Sequence, residues 1–455
     1  MDKYRNIKQI YIGNVLESFH KSYTYDKMPK KEADFWRRYD ALENNRSLLY
    51  GGDNKILITP EKISYDQVEY ICSLAEWKNV HNLVPSRKSD CISLDILNDQ
   101  NFFQTLRQII KDNPGVEIIQ YRHTRELYEL ADKLINIKPD MVFPELVEKA
   151  DKFIEEYFHS KRGFRHLWEQ VKDPNLKISV PEGFITGDKR EAIEAAWWFR
   201  KHQRNFTIKY NKGVQGIGVS LNLASDYSNI YNKFTGQMAK VLIDGMWDEP
   251  CIVVEEYIEP NHEVLGGSPS VEMRIGKDGA VHREYACAQV LDPDGKTFLG
   301  VTMNPEVEVN EHIQQAFQAA ELYGQKLAEL GYRGVFDMDL IVSTENKLFA
   351  VEANLRRTGG THAHEFCKTL LGDDYAKKRY VYLQDMSVPE SRKQVFEEML
   401  IKYAYNSKNE IGIIPVNPDM MEVNKAPILI IAPDKEVLNQ ILSQVNNLNL
   451  QQSLN

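Results

Sequence analysis

Residues 339–354 read Asp339-Leu-Ile-Val-Ser-Thr-Glu-Asn-Lys-Leu-Phe-Ala-Val-Glu352-Ala-Asn354. Two apolar runs flank the polar residues 343–347, which is the pattern of a β-hairpin. Because side chains alternate along a strand, Glu352 and Asn354 lie on one face, and Asp339 approaches them from the partner strand. Mg²⁺ binds hard oxygen donors and phosphate oxygens. The hairpin therefore predicts a site for Mg²⁺ (or Mn²⁺) and phosphate, with the polar face of an ordinary hairpin as the alternative.

The composition is that of a globular protein with more than one domain. At 455 residues the chain exceeds one typical hydrophobic core, so we expect two or three domains. We expect neither a signal peptide nor a membrane-spanning segment, because no apolar stretch is long enough. The net charge of −10 argues against a nucleic-acid partner, which requires a basic surface. Five scattered cysteines without a Cys-x-x-Cys pair favour reduced thiols and a cytoplasmic location.

Hydrophobic periodicity predicts an α/β (α+β) chain of three domains. Residues 1–140 alternate strand-like and helix-like runs, which predicts a small parallel, Rossmann-like domain. No Gly-x-Gly-x-x-Gly follows its first strand, which argues against a dinucleotide-dependent dehydrogenase. Residues 141–375 carry the polar motifs, and residues 376–455 predict a small C-terminal α/β domain.

Individual elements follow from the same periodicity. In the first domain we predict strands over 10–15, 55–59, 82–85 and 116–121, and helices over 64–77, 102–111 and 124–134. Further along the chain we predict a helical stretch over 144–171, β-hairpins between 205 and 305, a helix over 312–330, a strand over 426–432 and a helix over 435–445.

A second polar segment combines lysines with glycines. It reads Phe206-Thr-Ile-Lys209-Tyr-Asn-Lys212-Gly213-Val-Gln-Gly216-Ile-Gly218-Val-Ser, a Gly-x-x-Gly-x-Gly loop between two β-runs. Glycines let backbone N–H groups approach phosphate oxygens, and lysines add positive charge. The loop lacks the Gly-Lys-Ser/Thr of a Walker loop and does not open a helix, so a P-loop does not fit. A plain turn is the alternative.

Two further segments carry candidate nucleotide contacts. In Pro250-Cys-Ile-Val-Val-Glu255-Glu256-Tyr257-Ile258-Glu259, an apolar strand runs into acidic residues and then an aromatic-aliphatic pair. Such a hinge presents backbone groups and a carboxylate to an adenine; a buried strand with a polar exit is the alternative. The segment Ser160-Lys161-Arg-Gly-Phe-Arg-His-Leu-Trp168 places Lys161 at a helix start, 48 positions before Lys209.

Taken in order, these four segments resemble the ATP-grasp superfamily over residues 155–365. The likeness consists of Lys161 at a helix start, Lys209 before the glycine loop, the acidic hinge and the Asp…Glu-x-Asn hairpin. The 13 positions from Asp339 to Glu352 are similar to the spacing in D-alanine–D-alanine ligase. The resemblance implies an ATP-grasp fold with an N-terminal pre-ATP-grasp domain.

A narrower resemblance is to the pheganomycin-type peptide ligases, which have a pre-ATP-grasp domain and a small C-terminal domain. Butirosin-type ligases, which load glutamate onto an acyl carrier protein, look similar. Where we expect Thr-His-Pro in this subfamily, the chain has Thr361-His362-Ala363-His364, which weakens any transfer of substrate preference. The stretches that carry the likeness are Ser268-Pro-Ser-Val-Glu-Met-Arg274-Ile, Ala288-Gln289-Val-Leu and Glu352-Ala-Asn-Leu-Arg356-Arg357-Thr-Gly359-Gly360-Thr361-His362.

The resemblance implies an ATP-dependent carboxylate–amine ligase that forms an acyl phosphate and releases ADP and phosphate. Its partners would be a small carboxylate, such as an amino acid or peptide, and an amine. A carrier-protein thiol as acceptor and an inactive nucleotide-binding protein are the alternatives, and a homodimer is left open. The implied ATP-binding residues are Lys161, Lys209, Lys212, Gly213, Gly216, Gly218, Glu255, Glu256, Tyr257, Ile258 and, for the ribose, Glu263. The implied metal ligands are Asp339, Glu352 and Asn354, with Asp337 as an accessory; the catalytic candidates are Arg274, Arg356 and Arg357, with His362 and His364 as possible bases.

Overall fold

Three β-sheets organise the chain in the computed structural model. The structure describes residues 2–20, 25, 28–136, 142–146, 153–213, 218–243, 245–248, 250–292, 295 and 297–448. The strands are β1 (Gln9–Ile12), β2 (Lys55–Ile58), β3 (Val80–Leu83), β4 (Glu117–Gln120), β5 (Ile178–Ser179), β6 (Gly183–Thr186), β7 (Phe206–Tyr210), β8 (Val219–Asn222), β9 (Ile252–Glu256), β10 (Pro269–Ile275), β11 (Val281–Leu291), β12 (Phe298–Met303), β13 (Gly334–Val342), β14 (Leu348–Asn354), β15 (Tyr380–Ser387), β16 (Gly412–Pro415) and β17 (Lys425–Ala432).

The helices pack on the faces of these sheets. They are α1 (Val15–His20), α2 (Lys30–Glu43), α3 (Tyr65–Ala75), α4 (Ile92–Asn98), α5 (Gln100–Asp112), α6 (Arg125–Ile135), α7 (Phe153–Phe158), α8 (Lys161–Val171), α9 (Lys189–Lys201), α10 (Tyr231–Val241), α11 (Pro305–Glu308), α12 (Glu311–Glu329), α13 (Thr361–Leu371), α14 (Lys393–Lys402) and α15 (Lys435–Asn446). Within the described ranges, none of these helices is long and apolar enough to cross a bilayer.

The first sheet is parallel, with strand order β3-β2-β1-β4. Its centre is apolar, since Ile10, Ile56 and Ile118 are fully buried. Parallel neighbours need crossover connections, which the intervening helices supply. The predicted parallel α/β pattern is therefore confirmed. The strand predicted over 82–85 begins two residues earlier, at Val80. The error arises because β3 is a half-buried edge strand that contains the polar residues His81 and Asn82.

The second sheet is antiparallel, with order β6-β9-β7-β8, and α9 and α10 pack against it. Phe199, Phe206 and Phe234 form part of the buried core between the helices and the sheet. The prediction of hairpins throughout residues 205–305 was wrong at α10. Phe234 and Met238 of that helix are buried at a four-residue spacing, which is a helical signal.

The third sheet has nine strands in the order β16-β17-β15-β12-β11-β10-β13-β14-β5. Helices α8 and α12 cover one face, where Phe164, Tyr323 and Phe336 pack together. The predicted helix over 312–330 is confirmed as α12. The C-terminal strands continue the same sheet as the β13–β14 hairpin, and the division of the chain at residues 140 and 375 stays a prediction.

The prediction of one helical stretch over 144–171 was wrong. Helix α7 ends at Phe158, and α8 begins at Lys161, while residues 147–152 lie outside the described part of the chain. The Ser160 side chain caps α8 by accepting the Gly163 N–H at 3.1 Å. A Cβ at Gly163 would lie 1.9 Å from the Tyr157 carbonyl oxygen, so the close turn between the helices requires glycine.

A buried ion pair joins the first sheet to the end of the β13–β14 hairpin. The Arg357 guanidinium donates to both oxygens of Glu145, each at 2.7 Å, and also to the Gln120 carbonyl at 2.6 Å. Only 2% of Arg357 is exposed. The predicted catalytic role of Arg357 does not fit this position, because both terminal nitrogens are already engaged in a structural clamp.

We predict that Arg357→Met lowers the free energy of unfolding by about 3–5 kcal/mol, because it leaves the Glu145 carboxylate buried without its partner. Urea unfolding measures the change, and Arg87→Met, which removes an exposed arginine, is the control. Adding Glu145→Leu should restore part of the loss. A single variant as stable as the parent chain would contradict the structural role.

Candidate functional site

A cavity of about 990 Å³ lies where the three sheets meet, large enough for a nucleotide and a second substrate. Its walls bring together segments that are far apart in sequence. The predicted site residues that line it are Lys161, Lys209, Gly213, Glu255, Glu256, Tyr257, Ile258, Asp337, Asp339, Glu352, Asn354, Arg356 and His362. The predicted site residues that do not line it are Lys212, Gly218, Glu263, Arg274, Arg357 and His364. Gly216 lies outside the described residues.

The β13–β14 hairpin places four polar side chains at the cavity. In the antiparallel register Asp339 faces Glu352 and Asp337 faces Asn354. Asp339 accepts hydrogen bonds from the Asn354 amide at 3.0 Å and from the Gln289 amide at 2.6 Å. The predicted hairpin is thus confirmed, and the side chains of its three predicted metal ligands line one cavity, with the Asn354 oxygen accepting from Arg356.

Burial of the two aspartates of this hairpin is not offset by nearby positive charge. Burial, followed by the charges of Asp337 and Glu352, raises the pKa of Asp339 well above its usual range. Burial also raises the pKa of Asp337 to about 7. A divalent cation would relieve this repulsion, and carboxylate and amide oxygens are suitable ligands for Mg²⁺ or Mn²⁺. The residues present therefore fit the predicted metal.

Lys161 connects this cluster to the glycine loop. Its Nζ lies 2.8 Å from a Glu352 oxygen and donates to the Gly213 carbonyl at 3.3 Å. Its backbone N–H donates to the Asn211 carbonyl at 2.9 Å, so the start of α8 is fixed to the turn after β7. Burial raises the pKa of Glu352, but Lys161 outweighs that effect and the net pKa is lowered.

Lys209 forms a second buried ion pair across the antiparallel sheet. Its Nζ lies 2.5 Å from Glu255, whose carboxylate also accepts from Arg165. Burial raises the pKa of Glu255, while the two cations outweigh it and hold the pKa below its usual value. Phosphate oxygens entering the cavity would compete with Glu255 and Glu352 for the two lysines.

The two glutamates of the acidic hinge, Glu255 and Glu256, contact different partners. Glu255 pairs with Lys209. Glu256 lies 2.6 Å from Arg204 and accepts the Glu182 N–H at 2.9 Å, so its carboxylate holds the sheet edge together. Tyr257, which follows the end of β9, lines the cavity together with Ile258. Glu263, the predicted ribose contact, is exposed and does not itself line the cavity.

Strands β7 and β8 pair on either side of the glycine loop, whose residues 214–217 lie outside the described part of the chain. Gly218 has φ +77°, and a Cβ there would lie 2.6 Å from the Tyr210 Cβ, so only glycine fits this turn. Lys212 lies 3.0 Å from Glu156 at the surface and does not reach the cavity. Of the predicted phosphate-binding residues here, Gly213 lines the cavity, whereas Gly218 is required by the turn and Lys212 lies at the surface.

Among the arginine candidates, Arg356 lines the cavity. It donates to the Asn354 side-chain oxygen at 3.2 Å and to the Tyr121 hydroxyl at 3.3 Å. Arg274 instead lies 2.7 Å from Glu284, outside the cavity. In this structure the Arg274 guanidinium is engaged by Glu284, and its catalytic role stays a prediction.

Of the two candidate histidines after the hairpin, His362 lines the cavity and His364 does not. His362 is buried in the cavity wall, and neither ring nitrogen has a hydrogen-bond partner among the described residues. Burial, and then the nearby charge of Arg46, lowers the pKa of His362 well below its usual range, so its imidazole is neutral. His364 accepts or donates a hydrogen bond to the Tyr375 hydroxyl at 2.9 Å and does not line the cavity.

Sequence reasoning missed a buried glutamate, Glu272, that contacts residues of the cavity wall. Glu272 accepts hydrogen bonds from the hydroxyls of Thr358 at 2.9 Å and Thr361 at 2.6 Å. Burial raises the pKa of Glu272 to about 8. Glu272 thereby fixes the Gly359–Gly360 turn, whose residues line the cavity. Its position in a β-run of alternating polar and apolar residues gave no sign of these long-range partners.

No protein-family model matches the chain. Among curated proteins, an L-propargylglycine–L-glutamate ligase of Streptantibioticus cattleyicolor is 35% identical over 125 residues. This match covers 27% of the present chain and 24% of that enzyme, so the chain spans about a quarter of the length of this relative.

Solved structures match over nearly the whole chain at 10–11% identity. N5-carboxyaminoimidazole synthetase of Staphylococcus aureus, complexed with ADP, gives a TM-score of 0.54 and covers 98% of this chain and 97% of that one. The Aspergillus clavatus synthase with ADP and 5-aminoimidazole ribonucleotide gives 0.54, covering 98% and 99%. Biotin carboxylase of Campylobacter jejuni gives 0.53, covering 98% and 91%. The chain therefore has the ATP-grasp fold.

Proposed function

We propose that the chain is an ATP-dependent ligase that joins a small carboxylate to an amine through an acyl phosphate. The observation that carries this proposal is the meeting of Lys161, Lys209 and the hairpin carboxylates in one cavity, although they are far apart in sequence. The curated relative is named as a ligase of two amino acids, which supports an amino acid or peptide as the carboxylate.

In phosphoryl transfer, the protein mainly positions the reacting groups and neutralises the charge of the phosphates. In the proposed complex, Lys161 and Lys209 exchange their glutamate partners for phosphate oxygens of ATP. The hinge residues Tyr257 and Ile258 contact the adenine. Asp339, Glu352 and Asn354 hold the divalent cation, which neutralises phosphate charge when it is bound.

The proposed reaction has two steps, phosphorylation of the carboxylate and then attack by the amine. A carboxylate oxygen of the first substrate attacks the γ-phosphorus of ATP, the bond to the β-phosphate oxygen breaks, and ADP leaves. The amine nitrogen then attacks the acyl carbon, the carbon–oxygen bond to phosphate breaks, and the nitrogen loses a proton. In the proposed reaction Arg356, which donates to Asn354 and Tyr121, stabilises negative charge on the acyl phosphate.

We predict that the double change Glu352→Gln and Asn354→Ala abolishes turnover and leaves the fold intact, because it removes metal ligands without opening a core cavity. Formation of ADP and phosphate, dependent on both carboxylate and amine, is the assay, with circular dichroism as the check on folding. Glu345→Gln, an exposed change in the turn of the same hairpin, is the control. Full activity in the double variant would exclude the metal assignment.

We predict that Lys209→Ala weakens ATP binding at least about tenfold, because a buried cation that would face phosphate is lost. Calorimetric titration with ATP measures the affinity. Lys212→Ala is a matched control, since its side chain belongs to the same loop but pairs with Glu156 at the surface. An equal loss of ATP affinity in the two variants would contradict the assignment of phosphate binding to Lys209 and not to Lys212.

We predict that Mn²⁺ binds to the nucleotide-free protein more tightly at pH 8 than at pH 6. The pKa of Asp337 is raised to about 7 and that of Asp339 is also raised, so protons compete with the metal below these values. Each displaced proton weakens binding by up to about tenfold per pH unit. Electron paramagnetic resonance counts free Mn²⁺, and an affinity independent of pH would place the metal elsewhere.

A further inference from the structure

Gln289 on β11 lines the cavity, and the proposed contacts with ATP and metal give it no role. Its side-chain amide donates to Asp339 Oδ1 at 2.6 Å. The two residues belong to different strands of the nine-stranded sheet, β11 and β13, which are separated by β10. The hydrogen bond therefore joins a proposed metal ligand of the hairpin to a strand outside the hairpin.

A small side chain on the intervening strand lets Gln289 reach Asp339. Ser270 of β10 pairs with Asp339 on one side and with Cys287 of β11 on the other, so the three side chains share one face of the sheet. Gln289 is two positions after Cys287 and lies on that same face, because side chains alternate along a strand. Its long side chain thus crosses β10 over the short side chain of Ser270.

The side chain of Gln289 is committed to this one contact. Its backbone N–H donates to the Ser268 carbonyl at 2.9 Å. The side chain is half-buried, and within the part of the chain that the structure describes its only hydrogen bond is the one to Asp339. Holding so long a side chain in one conformation costs entropy. A glutamine ordered on a single site carboxylate indicates a role at that carboxylate.

Neutral donors hold Asp339 at both of its oxygens. The Gln289 amide donates to Oδ1, and the Asn354 amide donates to Oδ2 at 3.0 Å. A carboxylate offers about four acceptor positions, so these hydrogen bonds leave capacity for a cation. The carboxylate of Asp339 is therefore oriented before a metal ion binds, as second partners of metal ligands commonly arrange.

The neutrality of these donors distinguishes Asp339 from Glu352. Glu352 lies 2.8 Å from the Lys161 ammonium, so a metal ion must replace that cation. No such ion pair involves Asp339 among the described residues, and the charge of Arg356 acts on it only at longer range. An ammonium group in place of the Gln289 amide would pair with Asp339 and compete with the metal.

We propose that Gln289 is a positioning residue for the divalent cation. By donating to Asp339 Oδ1 it orients that carboxylate for binding the metal together with Glu352 and Asn354. Because the amide is neutral, it leaves the negative charge of Asp339 to the metal. This assignment rests on the proposed function, since it takes Asp339 to be a metal ligand.

Mn²⁺ binding to the nucleotide-free full chain tests this role, with free Mn²⁺ counted by electron paramagnetic resonance at pH 8. We expect Gln289→Leu, which removes the donor and keeps a side chain of similar size, to weaken Mn²⁺ binding by about tenfold or more. Gln289→Lys should weaken it further, because its ammonium group pairs with Asp339. Gln384→Leu and Gln384→Lys are matched controls, since Gln384 is a half-buried glutamine of β15 that does not line the cavity.

The affinity for ATP in the presence of EDTA separates a role in metal positioning from damage to the cavity. Metal-free ATP meets Lys161 and Lys209 but no metal ion, so Gln289→Leu should bind it like the parent chain in a calorimetric titration. Parallel losses of affinity for Mn²⁺ and for metal-free ATP would show a structural effect and would overturn the positioning role.

Unchanged Mn²⁺ affinity in Gln289→Leu, or Gln289→Lys that binds Mn²⁺ like the parent chain, would also overturn the proposal. If Mn²⁺ binding is lost in the variant with Glu352→Gln and Asn354→Ala but kept in Gln289→Leu, the role of Gln289 fails alone. A parent chain that binds no Mn²⁺ would reject the metal assignment and this role together. Because no turnover is measured, a failed ligase assay beside Gln289-dependent Mn²⁺ binding would reject the ligase reaction alone.

Discussion

The antiparallel register of β13 and β14 is the constraint on which the rest of the site depends. It sets Asp339 opposite Glu352, and a slip of one residue would turn every carboxylate away from the cavity. The opposite face of β13 prevents that slip, because Phe336, Met338 and Leu340 are fully buried under α12 and α8. Packing of the apolar face thus holds a cluster of like charges that would not otherwise stay together.

The two buried lysines keep this charge cluster compatible with a folded chain. Lys161 faces Glu352 and Lys209 faces Glu255, so each cation is neutralised within the protein. In the proposed complex, phosphate oxygens replace the glutamates as partners of the lysines, and a metal ion replaces the lysine as partner of Glu352. Binding of nucleotide and metal is therefore an exchange of ion pairs, which limits the cost of desolvating new charges.

Local patterns carried most of what could be predicted from the sequence. The β13–β14 hairpin and α12 follow from alternation and helical spacing within short windows, and the structure confirms both elements. Long-range partners could not be predicted in this way. Arg356 and Arg357 are equivalent in sequence, yet Arg357 is withdrawn from the cavity by Glu145, which lies 212 positions earlier.

Transfer of oxygen from substrate to phosphate tests the proposed acyl phosphate most directly. A carboxylate substrate labelled with ¹⁸O in both oxygens would be turned over with ATP and an amine, and the phosphate released would be analysed by mass spectrometry. The proposed mechanism predicts one labelled oxygen in each phosphate, because the carboxylate oxygen that attacks the γ-phosphorus leaves with it. Unlabelled phosphate, or label in AMP, would contradict activation of the carboxylate as an acyl phosphate.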